Sequence, residues 1–227
     1  MRLDGRVIVV TGAFGHLGRE VVREVLAQGG KVAALDLGDG DVPPGARAWT
    51  VDLASLDNTT RVLAEVAGRF GAIDGLANVA GGFRWQTLGE SVDLAEWTAL
   101  HRINLGTCVT ASKAVLPFLQ RAGGGRIVNV GAMGAVKGAS GMGAYAASKA
   151  GVMRFTEALA DELKLQDITV NAVLPSVIDT PANRADMPKA KHDRWVKPQE
   201  IARVITFLLS DAAAAVTGAL IPVTGKT

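Results

Sequence analysis

Short β-branched runs alternate with helical stripes along the whole of this chain. "RVIVVTG" (6–12) is an apolar run closed by glycine, the pattern of a buried strand. Residues 16–28 then carry Leu17, Val21, Val22, Val25 and Leu26 at helical spacing. "KVAALD" and "ARAWTVD" read as the second and third strands, and 56–70 as a helix with Val62, Leu63, Val66 and Phe70 on one side. "IDGLANVAG" is a fourth strand, followed by a long helical stretch from about Leu94 to Leu119. "GRIVNVG" is a fifth strand, 144–164 a helix, "ITVNAVLP" a sixth strand, 199–209 a helix and "ALIPVTG" the last strand. Such alternation demands parallel strands joined by right-handed crossovers. The expected fold is α/β: one doubly wound, seven-stranded parallel sheet with helices on both faces.

The chain has 227 residues and no linker or break in composition, so residues 1–227 are expected to form a single domain. The irregular stretch 175–198, with Pro175, Pro181 and Pro188, reads as a loop or short-helix excursion over one edge of the sheet. Lys+Arg exceed Asp+Glu by 24 to 22 with no basic block, which gives no case for nucleic acid. Cys108 is the sole cysteine, so no intrachain disulfide can form. His16, His101 and His192 lie far apart and no Cys/His cluster has metal-ligand spacing, so no metal is expected. The first residues read directly as a turn and a strand rather than as a secretory signal. The late apolar stretch "AAAAVTGALIPV" is too short and too interrupted to cross a bilayer. A cytoplasmic protein with no membrane partner is expected.

"VVTGAFGHLGREV" places Gly12, Gly15 and Gly18 at the turn from the first strand into the first helix. Glycine admits a pyrophosphate close to the backbone, and the helix N-terminus supplies N–H donors and a favourable dipole. The context, in the first βαβ unit, is that of a dinucleotide-binding Rossmann domain. Asp36 ends the second strand, where an acid accepts hydrogen bonds from ribose hydroxyls and repels a 2′-phosphate. Leu37 follows it, not an arginine, and no Lys or Arg lies between Gly12 and Gly18. NAD is therefore expected over NADP. Asp52 and Leu53 close the third strand, placed for the adenine amino group and ring; an alternative reading makes Asp52 a helix N-terminal acid.

"GAYAASKAG" (143–151) holds the only tyrosine, Tyr145, with Lys149 four residues later on the same helix face. A free phenol titrates near pH ~10, too high for a base near neutrality. A neighbouring ammonium favours the phenolate and is expected to pull that value down.

Taken together, "TGAFGHLG", Asp36, "VDL", "NVAG" at 78–81, Asn104, "YAASK" at 145–149 and "LPSVIDT" at 174–180 resemble the short-chain dehydrogenase/reductase family over essentially the whole chain. The resemblance implies that Tyr145 is the general acid/base, that Lys149 binds the nicotinamide ribose and lowers the tyrosine pKa, and that Asn104 holds a water in a proton relay. It implies a cofactor cleft lined by Phe14, His16 and Leu17 with the turn glycines, by Asn78, Ala80 and Gly81, and by Pro175, Ile178 and Thr180, the last two meeting the carboxamide.

The chain also departs from the family pattern. The usual serine thirteen residues before the tyrosine is Ala132, preceded by Gly131. His16 stands where the second glycine of the first turn is common, Val79 replaces an asparagine, and Pro175 is followed by Ser176 where glycine is common. The glycine spacing, Ala132, "VAGG" followed by Phe83 and Trp85, and "LPSVIDTPANRADMP" resemble the dihydropteridine reductase branch, whose acceptor is a quinonoid ring; Asn104 is a difference from that branch. The implied function is hydride transfer between nicotinamide and a carbonyl, alcohol or quinonoid small molecule. A 3-oxoacyl or secondary-alcohol enzyme with a water in place of the serine is the alternative, and a catalytically weak dinucleotide sensor a third. Phe83, Trp85, Ala132, Met133 and Met142 are candidate pocket residues, although Phe83 and Trp85 could equally plug the core. Small and apolar residues on several faces of 94–119 and 144–164, among them Ala144, Ala146, Ala147, Ala150, Val152 and Phe155, lead us to expect a homodimer or homotetramer.

Overall fold

The structure, a computed structural model, describes residues 2–227. All five side chains of β1 (Val7–Thr11) are buried. Val7 and Val9 enter the core on one face of the sheet, Ile8 and Val10 the core on the other. Successive side chains of a strand point to opposite faces, so a strand covered on both sides is apolar throughout. The remaining strands are β2 (Lys31–Asp36), β3 (Arg47–Thr50), β4 (Gly75–Asn78), β5 (Gly125–Val130), β6 (Ile168–Pro175) and β7 (Leu220–Val223). They form one sheet in the order β3-β2-β1-β4-β5-β6-β7, every pair parallel.

One face is covered by α2 (Leu56–Phe70), α4 (Thr107–Arg121) and α5 (Gly143–Leu163), the other by α1 (His16–Ala27) and α7 (Pro198–Leu209). Short helices α3 (Ala95–Leu100) and α6 (Pro181–Asp186) lie in the connections. Local chemistry sets the helix ends. Ser55 caps α2 by accepting from Asn58 N–H at 3.3 Å, and Gly71 ends it at φ +92, where a side chain would be strained. Buried Val62, Leu63 and Val66 hold α2 to the sheet, each such side chain contributing ~1.5–3 kcal/mol.

The expected helical stretch from about Leu94 to Leu119 is helical without a break over 95–121, with a change of pitch inside it. Between α3 and α4 the residues His101–Gly106 form a π-helical turn, which widens the helix and buries Asn104. The excursion 175–198 contains α6 and a single turn, His192–Arg194. Chain direction across the sheet reverses between β1 and β4, and ligands of such sheets bind at the carboxyl ends of the strands beside that reversal. Among the described residues, no helix is long and apolar enough to cross a membrane.

Candidate active site

β1 and β4 are joined at their carboxyl ends by Thr11, whose hydroxyl accepts from the Val79 and Ala80 N–H groups at 3.1 and 3.2 Å. This brings the glycine turn against the loop after β4. A Cβ on Gly12, which sits at φ +62, would lie 2.7 Å from Ala80 Cα; one on Gly18 would lie 2.0 Å from Gly12 O. Both positions exclude any other residue. Gly15 precedes α1 without a side-chain cap, leaving the first-turn N–H groups for an anion. His16 is exposed at the start of α1, with Leu17 half-buried behind it. This uncapped, glycine-walled helix end fits a dinucleotide pyrophosphate.

Asp36 ends β2 against this turn. One carboxylate oxygen accepts from Phe14 N–H at 2.9 Å and the other from Leu37 N–H at 2.8 Å, so Asp36 fixes the turn and keeps a lone pair on each oxygen. Phe14 lies against Gly40, where a Cβ would come within 2.6 Å of the ring. Further along the strand ends, Asp52 is exposed and accepts from Ala54 N–H at 2.9 Å, with Arg102 at 3.5 Å, while Leu53 is buried.

The Tyr145–Lys149 pair lies in the first two turns of α5. Lys149 is buried, and its Nζ donates to Val130 O at the end of β5 at 2.7 Å. Asn104 accepts from Gly82 N–H at 2.8 Å and donates to Gly82 O at 3.1 Å and Ser148 Oγ at 3.0 Å; Ser148 in turn donates to Tyr145 O at 2.8 Å. Gly81 is the meeting point: a Cβ there would lie 2.7 Å from Asn104 Oδ1 and 3.1 Å from Lys149 Nζ. Phe83 packs edge-on to the Tyr145 ring, centroids 4.9 Å apart, and Trp85 lies 6.3 Å from Phe83. Trp85 covers Gly141, whose carbonyl accepts from Gln86 N–H at 2.9 Å, and Met142 reaches Gly134 beside Met133. Phe83 and Trp85 are both exposed, so they do not plug the core. Ala132 is buried two residues beyond Val130 and offers no side-chain donor.

The electrostatics correct one expectation. Burial pushes the Tyr145 phenol up to about 12, and no downward pull from Lys149 opposes it. Burial likewise brings the Lys149 ammonium down to about 8. Lys149 is turned to the Val130 carbonyl, and at neutral pH Tyr145 is a neutral phenol. Cys108, near enough to Lys149 to feel its charge, has its thiol pushed up to about 12 by burial and is a packing residue.

Two further side chains sit differently from the expected arrangement. Asn78 is turned into the core, donating to Ser112 Oγ at 3.0 Å and Asn129 Oδ1 at 2.9 Å, with Asn129 donating on to Thr156. It shapes the cleft floor through its backbone. Thr180 caps α6 by accepting from Asn183 N–H at 3.2 Å, while Ile178 O accepts from Asn183 Nδ2 at 2.7 Å. Thr11 and Ser148, which join the parts of the site, were missed in the sequence; each adjoins a residue that was singled out, Gly12 and Lys149.

Such a sheet, with this constellation at its carboxyl end, defines an oxidoreductase of the dinucleotide-binding α/β class. The family model for short chain dehydrogenases matches residues 6–191, and the chain belongs to that family. It is 32% identical to the 3-oxoacyl-(acyl-carrier-protein) reductase FabG of Thermotoga maritima, over 99% of this chain and 98% of that protein. It is 34% identical to the protein of the same name from Pseudomonas aeruginosa, again over 99% and 98%. A short-chain type dehydrogenase/reductase from Mycobacterium ulcerans superposes with a TM-score of 0.91 at 25% identity, covering 100% of this chain and 90% of the other. Ligand-free aldohexose dehydrogenase from Thermoplasma acidophilum gives 0.90 at 26% identity, covering 99% and 94%.

Proposed function

We propose that the protein is an NAD(H)-dependent short-chain reductase acting on an activated small-molecule acceptor, a quinonoid ring or a conjugated carbonyl. The convergence of Asn104 and Lys149 on Gly81, one helical turn from Tyr145, carries the reading. Bound nicotinamide would supply the hydride. Tyr145 donates the proton to the acceptor oxygen or nitrogen, and its raised pKa keeps that proton in place at neutral pH. Lys149 is placed for the ribose hydroxyls. Asn104 is a positioning residue, since its amide is engaged by Gly82 and Ser148, and holds the loop and helix together.

Gly12, Phe14, Gly15, His16, Leu17 and Gly18 would hold the pyrophosphate, Asp36 the adenosine ribose, and Asp52 and Leu53 the adenine. Ala80, Gly81, Pro175, Ile178 and Thr180 would face the nicotinamide half. Ala132 supports the activated acceptor: with no hydroxyl beside Tyr145, a weakly electrophilic ketone would have a single donor.

The second reading is a 3-oxoacyl reductase with a water in the serine's place, and the names of the relatives favour it. Turnover with NADH against quinonoid pterins, quinones, 3-oxoacyl thioesters and secondary ketones distinguishes the two. Tyr145→Phe should lower turnover on the best acceptor by about 10²–10⁴-fold, the range of a general acid, while NADH binding stays near wild type. Full activity in that variant would overturn the assignment of Tyr145.

A further inference from the structure

Ser176 begins the loop that leaves β6 towards Thr180, and its hydroxyl is engaged by the segment Thr224–Thr227. Ser176 Oγ lies 2.9 Å from Thr224 O and 2.7 Å from Thr227 Oγ1, which is itself 2.8 Å from Thr224 O. Each hydroxyl has one proton, so two of these three contacts are hydrogen bonds at any moment: Ser176 donates to Thr224 O, and Thr227 donates either to Ser176 Oγ or to Thr224 O. Ser176 N–H also donates to Val223 O at 3.4 Å.

The same segment grips the other support of this loop. Ile178 pairs with Val196 in a parallel bridge, and Asp179 N–H donates to Val196 O at 2.8 Å. Lys226 N–H donates to Arg194 O at 2.9 Å. Gly225, at φ +63, lies so close that a Cβ would sit 3.0 Å from Arg194 O and 3.1 Å from Val196 N. Residues 224–227 therefore hold both the loop and the segment 194–196 it leans on. They do so outside the two main cores, through hydrogen bonds near the surface, so they can open while the sheet stays folded.

We propose that Thr224–Thr227 is a clamp that sets the position of the 175–180 loop, with Ser176 and Thr227 as positioning residues that tune affinity for the nicotinamide half of the dinucleotide. This rests on the nucleotide reading above. A merely structural tail would weaken every part of the cofactor site alike; this clamp acts only where the loop faces its ligand.

The test is titration of the whole protein with NADH and with ADP-ribose, which lacks the nicotinamide. Ser176→Ala and Thr227→Val should each raise the Kd for NADH by about three- to tenfold, the range of one lost hydrogen bond, and leave that for ADP-ribose within twofold. The double variant should be no worse than the weaker single, because both break one network. Thr227→Ser, which keeps the hydroxyl, should bind NADH as the wild type does. Unchanged NADH affinity in the double variant, or an equal fall for both ligands, overturns the clamp alone. A wild-type protein that binds neither ligand overturns the nucleotide reading, and the clamp with it.

Discussion

Lys149 Nζ donates to the carbonyl oxygen of Val130 at 2.7 Å, tying the helix that carries Tyr145 to the end of the buried strand β5. This single hydrogen bond holds a charged group in a buried site. Burial brings the ammonium from 10.5 down to about 8, so the folded protein binds that proton less tightly than the unfolded chain. Below pH ~8 folding carries the whole penalty, on the order of 3 kcal/mol; the penalty fades as pH rises towards ~10.5.

Lys149→Met should accordingly make the protein more stable at pH 7, by about 1–3 kcal/mol after the lost bond to Val130 O offsets part of the gain. The gap should close by pH 10. Tyr145, raised from 10 to about 12, removes stability as pH climbs above 10, but it does so in both proteins and cancels in the comparison. Urea unfolding at the two pH values measures this. A variant no more stable than the wild type at pH 7 would show that Lys149 is not destabilising. The variant should also lose NADH affinity and turnover, as expected of a strained functional group.

Asp36 is expected to set the choice of nucleotide. Its carboxylate is already held by the Phe14 and Leu37 N–H groups, so it cannot swing away from a 2′-phosphate. NADH should bind more tightly than NADPH, and Asp36→Ala should narrow the difference. The same change frees two amides of the turn, so NADH affinity itself should fall. Isothermal titration with both nucleotides decides it, and tighter NADPH binding by the wild type would reverse the assignment.

Self-association is expected through α4 and α5. Ala144, Ala146 and Val152 are buried in the protein's own core and Phe155 packs partly buried against it, leaving Ala147, Ile103 and Val109 exposed and Ala150 half-buried. Light scattering should give a dimer or tetramer, and Val109→Glu should shift it towards monomer by placing an unpaired charge in the contact. A monomeric wild type at micromolar concentration would rule this out.

The parts of the site written in local pattern were legible in the sequence, and those made by distant contacts were not. The seven-stranded parallel sheet follows from the alternation of elements, and the glycine turn from three residues within seven positions, Gly12 to Gly18. Tyr145 and Lys149 share a helix face by spacing alone. The resemblance of "NVAG" implies that Asn78 lines the cleft; its partners Ser112 and Asn129, and Thr156 beyond Asn129, lie on three other elements. The Lys149–Val130 bond spans 19 positions and leaves no periodic trace, so helical spacing alone does not show that Lys149 exerts no pull on Tyr145. The π turn at Asn104 is a change of one residue in helical pitch that an apolar stripe does not record.

Ala132→Ser tests what the acceptor is. The position follows β5, two residues beyond the carbonyl that holds Lys149, and its present side chain is buried and inert. A serine there would add a second donor towards a developing oxyanion. One such donor is worth about 10²–10³ in rate where charge develops on an unactivated carbonyl. If the natural substrate were a simple ketone, the variant should gain turnover on it by up to about that factor. A quinonoid acceptor spreads the incoming electron pair over its ring, so the new hydroxyl has little charge to meet. We therefore expect turnover of the best conjugated acceptor to stay within a fewfold or fall slightly, while simple ketones become measurable substrates. Steady-state kinetics of both classes, with NADH saturating, gives the answer. A large gain on the best natural acceptor would mean that Ala132 handicaps a ketone reductase, and would move the assignment to the 3-oxoacyl reading.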